Sequence, residues 1–235
     1  MIQVGLKWAL KGAITTEKEI AIVVDILRAS TTITTLLWYG AKYVISTAEV
    51  KEAFELAKKY NALLMGERDC LKIDGFHFGN SPVEISEKEV KNKKFIFTST
   101  SFPKAIEAAK KSPLILVGSM LNVNAVTQFA RKLSKGKGYN ICFMLAGALD
   151  NSAKEELAFV GVAGEILSIY SISNDVKDAI NLVAKEGVKN VIKESFHAKR
   201  LINLGFKNDI EFACKKDIFN IVPIAKNNKI QIFKK

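Results

Sequence analysis

Residues 19–40, EIAIVVDILRASTTITTLLWYG, decide the fold class. Glu19–Ile26 is a continuous apolar run rich in β-branched residues, which reads as a strand buried on both faces. Ser30–Tyr39 follows as a helix, with Ser30 as its N-cap and Gly40 as its stop. A buried strand running straight into a helix is the start of a βα unit, and the pattern repeats downstream. Strands are expected at Tyr43–Ser46, Ala62–Met65, Lys94–Thr98, Leu114–Val117 and Tyr139–Ala146. Helices are expected at Glu49–Tyr60, after Thr98 through Lys111, at Asn122–Leu133 and at Ala153–Ser171. Ser81-Pro82-Val83-Glu84 reads as a capping box opening a further helix. Asp175–Lys185, Phe196–Leu204 and Asp209–Lys216 read as helices, and Asn227-Asn228 as the turn of a closing hairpin. The expected architecture is a three-layer α/β/α domain over residues 1–235, with two closely packed lobes as the variant. Its sheet is mostly parallel but mixed, with the C-terminal hairpin as an antiparallel edge.

Composition limits the function classes. Of 235 residues, 49% are hydrophobic and 25% charged, enough apolar side chain to exclude disorder as the main state. No apolar run is long enough to span a membrane. Trp8-Ala9-Leu10 is too short for a signal-peptide core. Cys70, Cys142 and Cys214 form neither a disulfide framework nor a zinc signature, which points to a reducing cytoplasm. The formal charge is +11, but the basic residues are almost all Lys, spread along the whole chain. That is a solvated surface rather than a nucleic-acid stripe, and no nucleic-acid partner is expected. Arg28, Arg68 and Arg200 are exceptions, because each falls in a segment with other functional signals and Arg suits oxyanions.

Ligands of an open α/β sheet bind beyond the carboxyl ends of its strands. Those ends carry Asp25 and Arg28, Glu67 and Arg68, Thr98-Ser99-Thr100-Ser101, Ser119 and Asn122, and Asp150-Asn151-Ser152. Carboxylates, arginines and hydroxyls on one rim suit a divalent metal holding a phosphorylated substrate. Each also has a plainer reading: Asp25 as a buried partner of Arg28, Glu67-Arg68 as an ion pair, and Ser30 to Thr32, Ser119 and Asn122 as caps. His77 and His197, each isolated, read as structural. The dinucleotide glycine fingerprint, the P-loop and the nucleophile elbow are absent.

Three segments carry a resemblance: AIVVDILRASTTITTLLWYGAK (21–42), GERDCLKIDGFHFGNSPVE (66–84) and GSMLNVNAV (118–126). Together with the tail SFHAKRLINLGFKNDIEFACKKDIFNIVPI (195–224), they resemble the 2-phosphosulfolactate phosphatase family. The resemblance implies a cytoplasmic, Mg²⁺-dependent α/β enzyme that hydrolyses 2-phosphosulfolactate to sulfolactate and phosphate, a step of coenzyme M synthesis. It implies Asp25, Glu67 and Glu156 as metal ligands, directly or through water, and Asp25, Arg28 and Arg68 as catalytic residues. It implies Thr31, Thr32, Asn80, Ser81, Lys104, Ser119 and Asn122 as the substrate and phosphate contacts. A metal-activated water and an aspartyl-phosphate on Asp25 both remain open as the chemistry. The expected partner is a small anionic phosphorylated substrate, and the expected assembly a homodimer.

Three departures from the family pattern stand out. Relatives read Thr-Thr-Asn-Gly-Thr-Arg after the fourth strand of this reading, whereas this chain has Ser99-Thr100-Ser101-Phe102-Pro103-Lys104. The family's Glu-Asp pair is Glu155-Glu156, and His77 replaces an Asp. A Phe-Pro step in the pocket wall would shift preference toward a smaller or less charged phospho-acid. The alternative is an altered homologue that binds, or hydrolyses, a different small phospho-acid.

Overall fold

The computed structural model describes residues 1–147 and 153–233. Its strands are β1 (Gln3–Trp8), β2 (Glu19–Val24), β3 (Tyr43–Thr47), β4 (Leu63–Arg68), β5 (Leu71–Lys72), β6 (Lys94–Thr98), β7 (Ile115–Gly118), β8 (Asn140–Leu145), β9 (Ser171–Ile172), β10 (Pro223–Lys226) and β11 (Lys229–Ile232). Its α-helices are α1 (Ala29–Trp38), α2 (Val50–Tyr60), α3 (Glu87–Val90), α4 (Phe102–Ala108), α5 (Val123–Lys137), α6 (Lys154–Ile166), α7 (Asn174–Glu186), α8 (Val188–Lys193), α9 (Phe196–Asn203) and α10 (Lys207–Ala213). The strands form one mixed sheet in the order β5-β4-β6-β3-β11-β10-β7-β2-β8-β1-β9. The chain is therefore α/β, as its sequence pattern requires.

The continuous apolar reading of β2 holds because both faces are covered. Ile20, Ile22 and Val24 point into a core shared with α5 to α10. Ala21 and Val23 point the other way, into a core shared with α1 and α4. That second core also takes Val44, Phe95 and Phe97 from β3 and β6. Beyond them, Ile96 and Leu64 pack under Ala53 of α2. Each half of the sheet thus has helices on both faces, and the two halves share the α1/α4 layer.

The closing hairpin forms, but not at an edge. β10 pairs antiparallel with β7, and β11 antiparallel with β3. It is inserted between the two parallel groups, with Ala225 and Ile230 in the shared core. In the middle of the sheet it occupies the edges of β3 and β7, which an edge hairpin would have left unpaired. The three antiparallel pairings reverse the β3-β6-β4 group relative to β7-β2-β8-β1. A twist of roughly 20–25° per pairing accumulates across the sheet. Over the six pairings from β2 to β4 it rotates the strand direction by about 120–150°. The carboxyl ends of the two groups consequently face one space.

Other expectations shift locally. β1 adds a strand before the first one expected, pairing with β8 and β9. The expected helix 153–171 stops at Ile166, and Ser171 and Ile172 pair with β1. No helix opens at Ser81; α3 begins instead at Glu87, with a capping box of Ser86 and Glu89. Among the described residues, no helix is long and apolar enough to cross a membrane.

Candidate active site

Asp25 follows the last residue of β2, and its Oδ1 accepts a hydrogen bond from the Ala29 amide at 3.1 Å. The N-cap position of α1 is Arg28, not Ser30, and the first helical amide is met by Asp25; the Ser30 hydroxyl donates to the Asp25 carbonyl at 2.8 Å. The Leu27–Arg28 peptide that follows is cis. Across the same space, Glu67 is the penultimate residue of β4, directly after Gly66. A Cβ on Gly66 would lie 2.0 Å from the Thr98 carbonyl oxygen, and its φ is +150°. Glycine lets β4 run close enough to β6 for Glu67 Oε1 to accept from the Thr100 amide at 3.0 Å. Glu67 Oε2 accepts from the Cys70 amide at 2.8 Å.

These strand ends line a cavity of ≈ 370 Å³. Its lining includes the carboxylates of Asp25, Glu67, Asp69, Glu155 and Glu156 and the nitrogen groups of Arg28, His197 and Arg200. The carboxylates are buried together. The Asp25 carboxyl is pushed up to about 7, chiefly by burial. The Glu67 charge adds to this, and the Ala29 amide and Arg28 oppose it. Glu155 and Glu156 are likewise raised, by burial first and then by neighbouring carboxylates, Asp25 among them. Gly147 makes room for this: a Cβ there would lie 2.2 Å from Glu156 Oε2. Burial and the Arg28 and Arg200 charges hold His197 below its ordinary value.

Buried polar atoms are normally paired. Among the described residues, seven buried side-chain polar atoms lack a partner. Four of them, Asn80 Oδ1, Ser99 Oγ, Glu155 Oε2 and Glu156 Oε2, belong to residues lining this cavity. Unpaired donors and acceptors concentrated in one cleft mark it as built for a polar ligand.

The model of a family described as 2-phosphosulpholactate phosphatase matches residues 9–228. The chain belongs to the 2-phosphosulfolactate phosphatase family. A protein of Clostridium acetobutylicum named "Probable 2-phosphosulfolactate phosphatase" is 35% identical over 89% of this chain and 91% of its own length. One of the same name from Caldanaerobacter subterraneus is 35% identical over 89% of both chains. Another from Thermotoga maritima is 36% identical over 88% of this chain and 89% of its own.

The residues expected from the likeness to the 2-phosphosulfolactate phosphatases divide into two groups. Asp25, Arg28, Glu67, Asn80 and Glu156 line the cavity. The remainder do not, for identifiable reasons. Arg68 turns away: its guanidinium donates to the carbonyls of Glu67 (2.8 Å) and Ala48 and to Thr98 Oγ1 (3.1 Å). Thr31 donates to the Ile26 carbonyl at 2.8 Å and Thr32 to that of Asn80 at 3.3 Å, which lets α1 bury its hydroxyls. Ser119 and Asn122 form a capping box, and Asn122 Nδ2 also donates to the Val117 and Ile221 carbonyls. Ser81 donates to Asp209 at 2.6 Å.

The altered loop lines the cavity only through its first half. Phe102 is fully buried, edge-on to Phe97 in the core, and Lys104 is exposed on α4 outside the cavity. Ser99, Thr100 and Ser101 line the cavity instead. Residues 150–152 lie outside the described residues. Glu155, His197 and Arg200 were not among the expected site residues. Arg200 had one legible signal, as one of few arginines in a Lys-rich chain.

Proposed function

We propose that this member of the 2-phosphosulfolactate phosphatase family hydrolyses a small phosphorylated acid, with 2-phosphosulfolactate as its substrate and Mg²⁺ as its cofactor. The observation that carries the reading is one cavity lined by both carboxylates and arginines, with unpaired buried polar atoms on four of its lining residues. Phosphoryl transfer is catalysed by positioning and by charge stabilisation, and these are the groups it needs.

Among the described residues, no group of three or more His, Cys, Asp or Glu is drawn together closely enough to hold a metal ion by itself. The donor chemistry still suits Mg²⁺, which takes one or two carboxylates and keeps several waters. Glu155 and Glu156 each keep one buried oxygen with no partner. Burying several carboxylates without a counter-charge is expensive, and a divalent cation removes that penalty. One or two of Asp25, Glu155 and Glu156 would ligate it directly, and the other carboxylates, among them Glu67, whose oxygens accept backbone amides, would reach it through water. When bound, Mg²⁺ supplies Lewis-acid polarisation of the phosphoryl oxygens.

The chain's own residues do the remainder. Arg28 presents the guanidinium donors not engaged by the protein to phosphoryl oxygens. Asn80 and Ser99 hydrogen-bond the bound ester. Arg200, paired only loosely with exposed Asp69 at 3.4 Å, is available for a second acidic group of the substrate. The free cysteines Cys70, Cys142 and Cys214 suit a reducing cytoplasm.

The test is release of inorganic phosphate from 2-phosphosulfolactate and 2-phospholactate, with Mg²⁺ and after chelation. Release that needs Mg²⁺ supports the reading. Failure to release phosphate from either ester in the presence of Mg²⁺ overturns it.

A further inference from the structure

Arg28 and Asp209 are far apart in the chain and meet inside the protein. Arg28 Nη1 donates to Asp209 Oδ2 at 2.8 Å, with side-chain exposures of 2% and 1%. The second carboxylate oxygen, Oδ1, accepts the Ser81 hydroxyl at 2.6 Å. Arg28 Nη2 donates to the Cys70 carbonyl at 2.6 Å. The Phe206 ring lies against the guanidinium, 4.2 Å from Cζ to the ring centroid. Cys70 has a φ of +71°, and in this left-handed turn its carbonyl serves Arg28 while its amide serves Glu67.

A buried ion pair is a poor source of net stability, because desolvation consumes most of the Coulombic gain. Its use must then be sought in geometry. A guanidinium has five N–H donors in one plane. Asp209 and the Cys70 carbonyl each take one, and Phe206 covers a face of that plane. The side chain is left without rotamer freedom, while Arg28 still lines the cavity. An oxyanion ligand would meet donors already in place.

We infer that Asp209 is a positioning residue for Arg28, holding its guanidinium in the orientation that meets the phosphoryl group. Asp209 sits on α10, and Ser81 and Phe206 complete the clamp. The α9–α10 segment is thereby an integral part of the site, contributing His197 and Arg200 to the cavity and Phe206 and Asp209 behind Arg28. The inference rests on the reading that this cavity hydrolyses a phosphomonoester.

The experiment is a double-mutant cycle on Mg²⁺-dependent phosphate release from 2-phosphosulfolactate. It combines Asp209→Asn and Ser81→Ala with Arg28→Lys, and melting curves give the folded fraction of each variant. Asp209→Asn should lower kcat per folded molecule about tenfold or more with a smaller effect on KM, as expected for a contact that tightens in the transition state. Combined with Arg28→Lys, it should add no more than about twofold, because both changes remove one interaction. Ser81→Ala should show the same non-additivity with a smaller loss, and it decides the matter if Asp209→Asn does not fold. Wild-type kcat per folded molecule in Asp209→Asn, or losses that multiply with Arg28→Lys, would overturn the inference and leave the phosphatase reading standing. Absence of wild-type turnover removes both.

Discussion

Glu67 Oε1 accepts a hydrogen bond from the Thr100 amide at 3.0 Å, joining the end of β4 to the loop after β6 at the cavity wall. With Oε2 on the Cys70 amide, one carboxylate fixes two turns. Glu67→Ala should destabilise the protein by about 1–3 kcal/mol, because the buried Cys70 amide loses its acceptor. Glu67→Gln, which keeps one acceptor oxygen, should lose less. Denaturant unfolding of the two variants checks the order.

Asp25→Asn should abolish Mg²⁺-dependent hydrolysis and leave the fold intact. The amide oxygen can still accept from Ala29, and the side-chain volume is unchanged. Wild-type phosphate release by Asp25→Asn would remove Asp25 from the chemistry.

Stability should depend on pH in a definite direction. The Asp25 carboxyl titrates at about 7 in the folded protein, against 3.8 for its ordinary value. Glu155 and Glu156 are also raised. The native state therefore binds more protons than the unfolded chain between about pH 4 and 7. In metal-free protein the contribution of these groups is full below the unfolded pKa and is lost as pH rises through the folded one. Melting temperature without metal should fall from pH 5 to pH 8, and millimolar Mg²⁺ should restore it at pH 8. Asp25→Asn should flatten the metal-free profile.

The arginines should separate by behaviour. Arg28→Lys should lower kcat/KM by about tenfold or more, since an ammonium cannot reproduce the planar fork. Arg68→Lys should instead reduce stability with near-normal turnover, because Arg68 serves the Ala48 and Glu67 carbonyls and Thr98. Arg200→Ala should weaken use of an ester carrying a second acidic group by about ten- to a hundredfold, through loss of one charge-assisted contact. Comparing 2-phosphosulfolactate with a phosphomonoester lacking further acidic groups reads that effect.

The Ser99–Lys104 segment should act through its first half. Lys104→Ala, on the exposed side of α4, should leave kcat/KM within about twofold, as surface changes usually do. Phe102→Ala should cost about 3–5 kcal/mol of stability, the usual range for emptying a core aromatic site. Altered substrate preference in Lys104→Ala would place that side chain in the pocket after all.

What residues 19–40 determine by themselves is local. An apolar β-branched run ending in Asp, then a helix closed by glycine, follows from periodicity and capping, which act over a few residues. The same locality explains why the family motifs could be read and why they point to Asp25, Arg28, Glu67, Asn80 and Glu156, which line the cavity. Only the tertiary structure decided where the closing hairpin goes, since Ala225 and Ile230 are apolar in either place and the choice lies with the open edges of β3 and β7. It also decided which polar residues line the cavity. Thr31, Ser81, Asn122 and Arg68 are chemically as suitable as Asn80 and Ser99, but internal acceptors claim them first. Arg28 and Asp209 show the same limit from the other side: their pairing depends on how the sheet twists and where α10 docks, and neither is written in the residues beside them.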